Sequence, residues 1–140
     1  MNDFLKHGGG IRKKWILIGE DDMDDKEILE ETFKEIDPSV AIRFIPGGKE
    51  IISFLESAKE GEEPSLIVLD YNMPELNGAE ILQKLQSISL VEKVPKLIWS
   101  TSGASLYKSK CMRMGATGYL VKPSSVEELE EMTRYMLSFC

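Results

Sequence analysis

Histidine is nearly absent from this 140-residue chain: one occurs, His7, in a polar, glycine-rich opening stretch. That excludes Ser-His-Asp triads and histidine-rich zinc sites, and it leaves no core histidine to act as a base. Cysteine is scarce too. Cys111 and Cys140 match no metal-ligand spacing and one is the last residue, so reduced thiols in a cytoplasmic protein are expected. No apolar run approaches the roughly eighteen residues of a membrane span, and no signal-peptide pattern opens the chain. Basic residues are outnumbered, 17 Lys and Arg against 24 Asp and Glu, for a formal net charge of −7. That balance argues against nonspecific binding to nucleic acid or to anionic membrane. Any chemistry must run on carboxylates, hydroxyls, lysine and, where one is bound, a hard metal ion.

What the chain does have is alternation. Residues 1–12, with Gly8-Gly9-Gly10, read as a flexible leader, and 13–140 as one domain large enough for a real core. Trp15-Ile16-Leu17-Ile18-Gly19 is a short apolar strand ending in Glu20-Asp21-Asp22. Asp24-Asp25 open a helix with Ile28, Leu29, Thr32, Phe33 and Ile36 at helical spacing, closed by Asp37-Pro38. Val40–Ile45 is a second strand, followed by a helix on Ile51, Ile52, Phe54 and Leu55. Leu66-Ile67-Val68-Leu69 runs without polar interruption into Asp70, the mark of a strand buried on both faces of a parallel sheet. Asn77-Gly78 has no alternating strands around it, so it precedes a helix on Ala79, Ile81, Leu82 and Leu85 rather than forming a hairpin. Val94–Trp99 is a fourth strand, then comes a helix over about 106–114 with Gly115 as its stop. Thr117–Val121 is the fifth strand. Ser124 or Ser125 caps a last helix whose buried face is Val126, Leu129, Met132, Met136 and Leu137. Five strand–helix units in strict order predict an α/β fold, an open parallel sheet with helices on both faces.

In such sheets ligands bind beyond the carboxyl ends of the strands, where the strand order reverses. Glu20-Asp21-Asp22, Asp70, Ser100 and Lys122 all fall at that edge. Singly, each has an ordinary explanation: a solvated acidic helix start, a turn residue, a cap, a loop entry. Together they describe a site. In the order 2-1-3-4-5, Asp21 and Asp70 face each other across roughly 5 Å of strand spacing. Carboxylates that close repel unless a proton or a cation intervenes, and without histidine or cysteine nearby a hard, oxygen-preferring ion such as Mg²⁺ is favoured. Lys122 lies two strands away, within reach only of a long side chain. Ser100, one strand away and short, reaches an oxygen of a group added to Asp70 rather than Asp70 itself. Two carboxylates, a metal, a hydroxyl and an ammonium around one aspartate suit a phosphoryl group being received.

ILIGEDD (16–22), LIVLDYNMPELNG (66–78), LIWSTS (97–102) and GATGYLVKP (115–123) resemble, in order and spacing, the receiver domain of two-component response regulators over about residues 14–139. The resemblance implies the flavodoxin-like, doubly wound five-stranded order 2-1-3-4-5; a chemotaxis receiver is a standard instance of that fold. It implies Asp70 as phosphoacceptor, with phosphate coming from a sensor histidine kinase or a histidine phosphotransfer protein. Asp21 would ligate Mg²⁺ directly together with Asp70, Glu20 through water, and Asn72 through its backbone carbonyl. Lys122 would contact the acyl phosphate, Ser100 the transferred phosphoryl group, and Tyr119 would be the switch aromatic. A cis Lys122–Pro123 bond is expected from the family.

Ser100 stands where threonine is commoner, Trp99 is bulkier than the usual aliphatic residue, and Pro46-Gly47-Gly48 replaces the commoner polar-Gly turn. The Asp24-Asp25 pair resembles that of single-domain regulators paired with cyanobacterial phytochromes. No output segment follows Cys140, so a stand-alone receiver is expected, passing its signal to a downstream protein target or passing phosphate onward. A homodimer through the fourth-helix, fifth-strand and fifth-helix face is possible by family habit. Two rivals stand beside this reading. One is a receiver-like binding module that takes no phosphate, which the intact set Asp21, Asp70, Ser100 and Lys122 opposes. The other is a metal-dependent phosphatase, which would need a second aspartate where Asn72 stands.

Overall fold

The computed structural model describes residues 14–140, so the leader expected over 1–12 lies outside the described residues. Ten elements alternate: β1 (Trp15–Gly19), α1 (Met23–Ile36), β2 (Ala41–Ile45), α2 (Gly48–Ser57), β3 (Leu66–Asp70), α3 (Gly78–Leu85), β4 (Lys96–Ser100), α4 (Ser105–Arg113), β5 (Gly118–Val121) and α5 (Val126–Leu137). The strands form one sheet in the order β2-β1-β3-β4-β5, every pair parallel, as the alternation predicted. Among the described residues no helix is long and apolar enough to cross a membrane.

Because successive strand residues face opposite sides, the unbroken apolar strands build two cores. Leu17, Ile67, Leu69 and Ile98 pack with Ile51, Leu55, Ile81, Leu82, Leu85 and Cys111 under α2, α3 and α4. Ile16, Ile18, Val68, Leu97 and Trp99 pack with Leu29, Phe33, Leu129 and Met136 under α1 and α5. Caps set where the helices begin. Asp22 accepts the Asp25 N–H (2.9 Å), so α1 starts before the predicted Asp24-Asp25 pair. Asn77 and Glu80 form a reciprocal capping box, which is what turns Asn-Gly into a helix start rather than a hairpin. Ser125, not Ser124, caps α5. Gly115, at φ 103°, takes the left-handed position past α4 that a glycine occupies without strain.

Three expectations need correction. Val126 is 72 % exposed and lies off the buried face of α5, where Thr133 is fully buried instead. A Thr133 hydroxyl donated to the Leu129 carbonyl (2.8 Å) makes that burial cheap, and apolar spacing alone is blind to it. Ile28, at helical spacing on α1, is likewise exposed. Finally, no described peptide bond is cis, so Lys122–Pro123 is trans. Trans is the lower-energy isomer of an X–Pro bond by about 0.5–1 kcal/mol, and Lys122 reaches the site from it.

Candidate functional site

The sheet edge beyond the strand carboxyl ends gathers every ionisable residue expected there. β1 delivers Glu20 one residue past its end, and β3 delivers Asp70 as its last residue. Glu20 is fully buried and Asp70 5 % exposed, while Asp21 lies open to solvent. One carboxylate oxygen from each of Glu20, Asp21 and Asp70 falls within 4.8 Å of the others.

Lys122, just past β5, crosses two strands to join them. Its ammonium donates to Asp25 Oδ2 (2.8 Å), Asp70 Oδ2 (3.0 Å) and Glu20 Oε1 (3.2 Å), which uses all three of its protons. The other Asp70 oxygen, Oδ1, accepts the Asn72 N–H at 3.0 Å, so the Asp70 carboxylate is held at both oxygens. Glu20 Oε1 also accepts the Trp99 indole N–H (3.0 Å), and its Oε2 accepts the Asp22 N–H (3.1 Å). The Lys122 ammonium sits 4.8 Å from the centroid of the Trp99 ring.

Electrostatics follow from crowding. Burial, then the neighbouring Asp70 charge, pushes the Glu20 carboxyl up to about 7. Burial pulls Lys122 the other way, but bonds to Asp25 and Asp70 and the charges of Glu20 and Asp70 outweigh it, holding the ammonium above its ordinary range. Four carboxylates stand against one ammonium, so the cluster carries surplus negative charge. All its donors are hard oxygens, and the donor set fits a divalent ion that keeps several waters.

Ser100, the last residue of β4, is fully buried and its Oγ accepts the Ser102 N–H (3.1 Å). It makes no bond to Asp70, as its short side chain predicted. Tyr119 is half-buried, its hydroxyl donating to the Ser102 carbonyl (2.5 Å). Ser100, Ser102 and Tyr119 are thus joined by hydrogen bonds from the end of β4 to β5. Tyr71, next to Asp70 and 8 % exposed, packs its ring against Tyr107 of α4, centroids 5.0 Å apart. Beside Lys122 a groove opens, lined by Asp25, Ile28, Trp99, Pro123, Val126 and Leu129 among others.

Two members of the site, Asp25 and Trp99, were not legible as such in the sequence. Asp25 lies in the first turn of α1, whose start at the end of β1 brings it to the same sheet edge, and its acidic helix-start position was the available signal. Trp99 was visible only as an unexpectedly large residue in its strand.

Residues 16–134 match the family model of the response regulator receiver domain. The chain belongs to the response-regulator receiver family. Among curated receivers it is 30% identical over 117 residues to the two-component response regulator ORR11 of rice (Oryza sativa subsp. indica), covering 82% of this chain and 75% of that one. It spans little more than half, 57% and 56%, of the two rice regulators named ORR1 that it also matches. Among solved structures, the response regulator RPA3017 in red light signalling of R. palustris superimposes with a TM-score of 0.80 at 26% identity, covering 91% of this chain and 93% of that one. The Mn²⁺-bound form of the response regulator Rcp1 follows at a TM-score of 0.77 and 26% identity, covering 90% and 93%. The receiver's flavodoxin-like sheet order is the one found here.

Proposed function

We propose that this receiver is a phosphoacceptor switch in which Asp70 takes a phosphoryl group from a phosphohistidine on a sensor histidine kinase or a histidine phosphotransfer protein. One observation carries the reading: a fully engaged ammonium, Lys122, is aimed at Asp70 Oδ2 from 3.0 Å while two more carboxylates stand within 4.8 Å of the same aspartate. An aspartate kept for a turn or a cap needs neither.

Transfer requires no general base, because a carboxylate is itself the nucleophile. An Asp70 oxygen forms the new P–O bond as the P–N bond to the donor imidazole breaks in line, and the protein supplies position and charge. Mg²⁺ bound by Asp21, Asp70 and the Asn72 carbonyl, with Glu20 acting through water, would supply neutralisation of the phosphoryl oxygens. Lys122 moves one donor from Asp70 to the phosphoryl group. The Ser100 hydroxyl, its oxygen already accepting the Ser102 N–H, has its proton to give to a phosphoryl oxygen, and the Tyr119 link to the Ser102 carbonyl passes that change to β5.

The protein assists its own phosphorylation and dephosphorylation, with no separate substrate, in the cytoplasm. Exposed Ile28 and Val126 flank the groove beside Lys122 and offer apolar surface to the phosphodonor protein. Output passes to a downstream protein target. Leu106, Met112, Val121 and Tyr135, exposed on α4, β5 and α5, suit either that target or a second copy.

The test is incubation with acetyl phosphate and Mg²⁺ followed by intact mass. One phosphoryl adduct in the wild type, absent in Asp70→Asn, supports the reading. No adduct in either form would instead mark a constitutive binding module, and release of phosphate from an unrelated phosphoester would mark a phosphatase.

A further inference from the structure

Trp99 is 2 % exposed in an apolar layer between Ile16, Ile18, Leu29 and Leu129, where a leucine or isoleucine would serve the core. Its single polar atom, however, does not point at backbone. The indole N–H donates across 79 positions of sequence to Glu20 Oε1 at 3.0 Å, and the same ring lies 4.8 Å from the Lys122 ammonium.

We infer that Trp99 is a positioning residue for the cation site, its indole fixing Glu20 and Lys122 so that the acidic cluster can bind a divalent metal ion. The inference rests on the phosphoacceptor reading for the purpose of that ion. A carboxylate has about four lone-pair positions. On Glu20, Oε1 accepts from Trp99 and from Lys122, and Oε2 accepts from the Asp22 N–H. About one further position remains on this carboxylate, on the crowded side it shares with Asp70, for a metal-bound water. Remove the indole donor and a fully buried Oε1 depends on Lys122 alone, so only the Asp22 N–H on Oε2 and the long Lys122 side chain still orient the carboxylate, and the two are held less firmly in place.

The kind of donor matters as much as the bond. An arginine or lysine at position 99 would also satisfy Glu20, but its charge would neutralise the cluster and repel the incoming cation. An indole N–H satisfies the carboxylate without adding charge, and the ring lies within cation–π distance of the Lys122 ammonium, 4.8 Å from its centroid.

Trp99→Phe keeps a ring face and most of the volume while deleting the N–H. By calorimetric titration with Mg²⁺ alone, the variant is expected to bind about tenfold more weakly than the wild type, in the range found when an outer partner of a metal ligand is removed. The loss in phosphorylation rate with acetyl phosphate is expected to be recovered by raising Mg²⁺, placing the defect in metal binding. In a Glu20→Gln background the same substitution is expected to shift Mg²⁺ affinity less than about twofold, because the two act as a unit. Wild-type affinity in Trp99→Phe, or an equal loss in both backgrounds, overturns the inference, as does a wild type that binds no Mg²⁺. A wild type that binds Mg²⁺ yet takes no phosphate overturns the phosphoacceptor reading and leaves the Trp99 result standing. Should Trp99→Phe not fold, NMR of the indole N–H groups in the wild type, assigned with Trp15→Phe, decides: the Trp99 signal shifts on saturation with Mg²⁺, and an unmoved signal overturns the inference.

Discussion

Two lysines stand at opposite edges of this sheet, Lys96 buried and Lys122 partly buried just past β5, and they are treated in opposite ways. Lys122, at the carboxyl edge, is surrounded by three carboxylates. Lys96 opens β4 at the other edge, 9 % exposed, and its ammonium donates only to the Val91 and Val94 carbonyls, at 2.6 and 2.7 Å. Burial holds Lys96 below its ordinary range, with Glu92 opposing only in part, while Lys122 is held above its own. Dipoles are enough to anchor a lysine as a structural peg. A lysine among ions is tied to whatever next changes their charge, and that difference separates a support from a working part.

Replacing the two side chains should break the symmetry most clearly. Lys122→Met leaves three carboxylates without their cation, and stability without metal should fall by about 3 kcal/mol. Saturating Mg²⁺ should restore most of it, since the ion replaces the missing charge; urea unfolding with and without Mg²⁺ reads both. Lys96→Met should cost about 1–2 kcal/mol and show no dependence on Mg²⁺. Any Mg²⁺ rescue there would erase the distinction.

Titration sharpens it further. Glu20 binds its proton more tightly folded than unfolded, with a folded value of about 7 against 4.5. Its contribution is therefore complete below about 4.5 and lost as pH rises through 7, on the order of 3 kcal/mol. Metal-free protein should lose stability over that range, and Glu20→Gln should flatten the profile. Above neutrality the lysines diverge in sign. Lys122, raised, contributes stability that is complete below 10.5 and lost above it. Lys96, lowered, costs stability that is regained as pH rises toward 10.5. Chemical denaturation across pH in the two Met variants assigns each arm.

The smallest expected effect is at Asp25. Its bond is the shortest Lys122 makes, but its side chain is 30 % exposed, so Asp25→Asn should cost no more than about 1 kcal/mol. A larger loss in thermal unfolding would move Asp25 from a helper to a principal anchor of the ammonium.

The convergence of Glu20, Asp21, Asp70, Ser100 and Lys122 was legible because strand ends are marked in sequence by where apolar runs stop, and parallel order puts those stops on one edge. Roles that depend on which side of a strand a residue faces were harder. Trp99 lies beside Asp70 in the β3–β4 register, but only the sheet's alternation, with Ile98 under α3 and α4 and Trp99 under α1 and α5, brings its indole to Glu20. Asp25 read as an acidic helix start because its partner is 97 residues away. Val126 and Thr133 exchanged places on α5 because a threonine bonded to its own helix can be buried as cheaply as an apolar residue.

The ring contact between Tyr71 and Tyr107 has a mechanical consequence. Helix α3 buries five side chains or glycines, whereas α4 buries only Cys111. Work needed to displace a helix scales with what it must pull out of the core, so α4 is the layer's lightest moving part. Tyr71 adjoins Asp70 and leans on that part directly. A charge placed on Asp70 thus acts on a short lever, and the far arm of that lever is an exposed helix face.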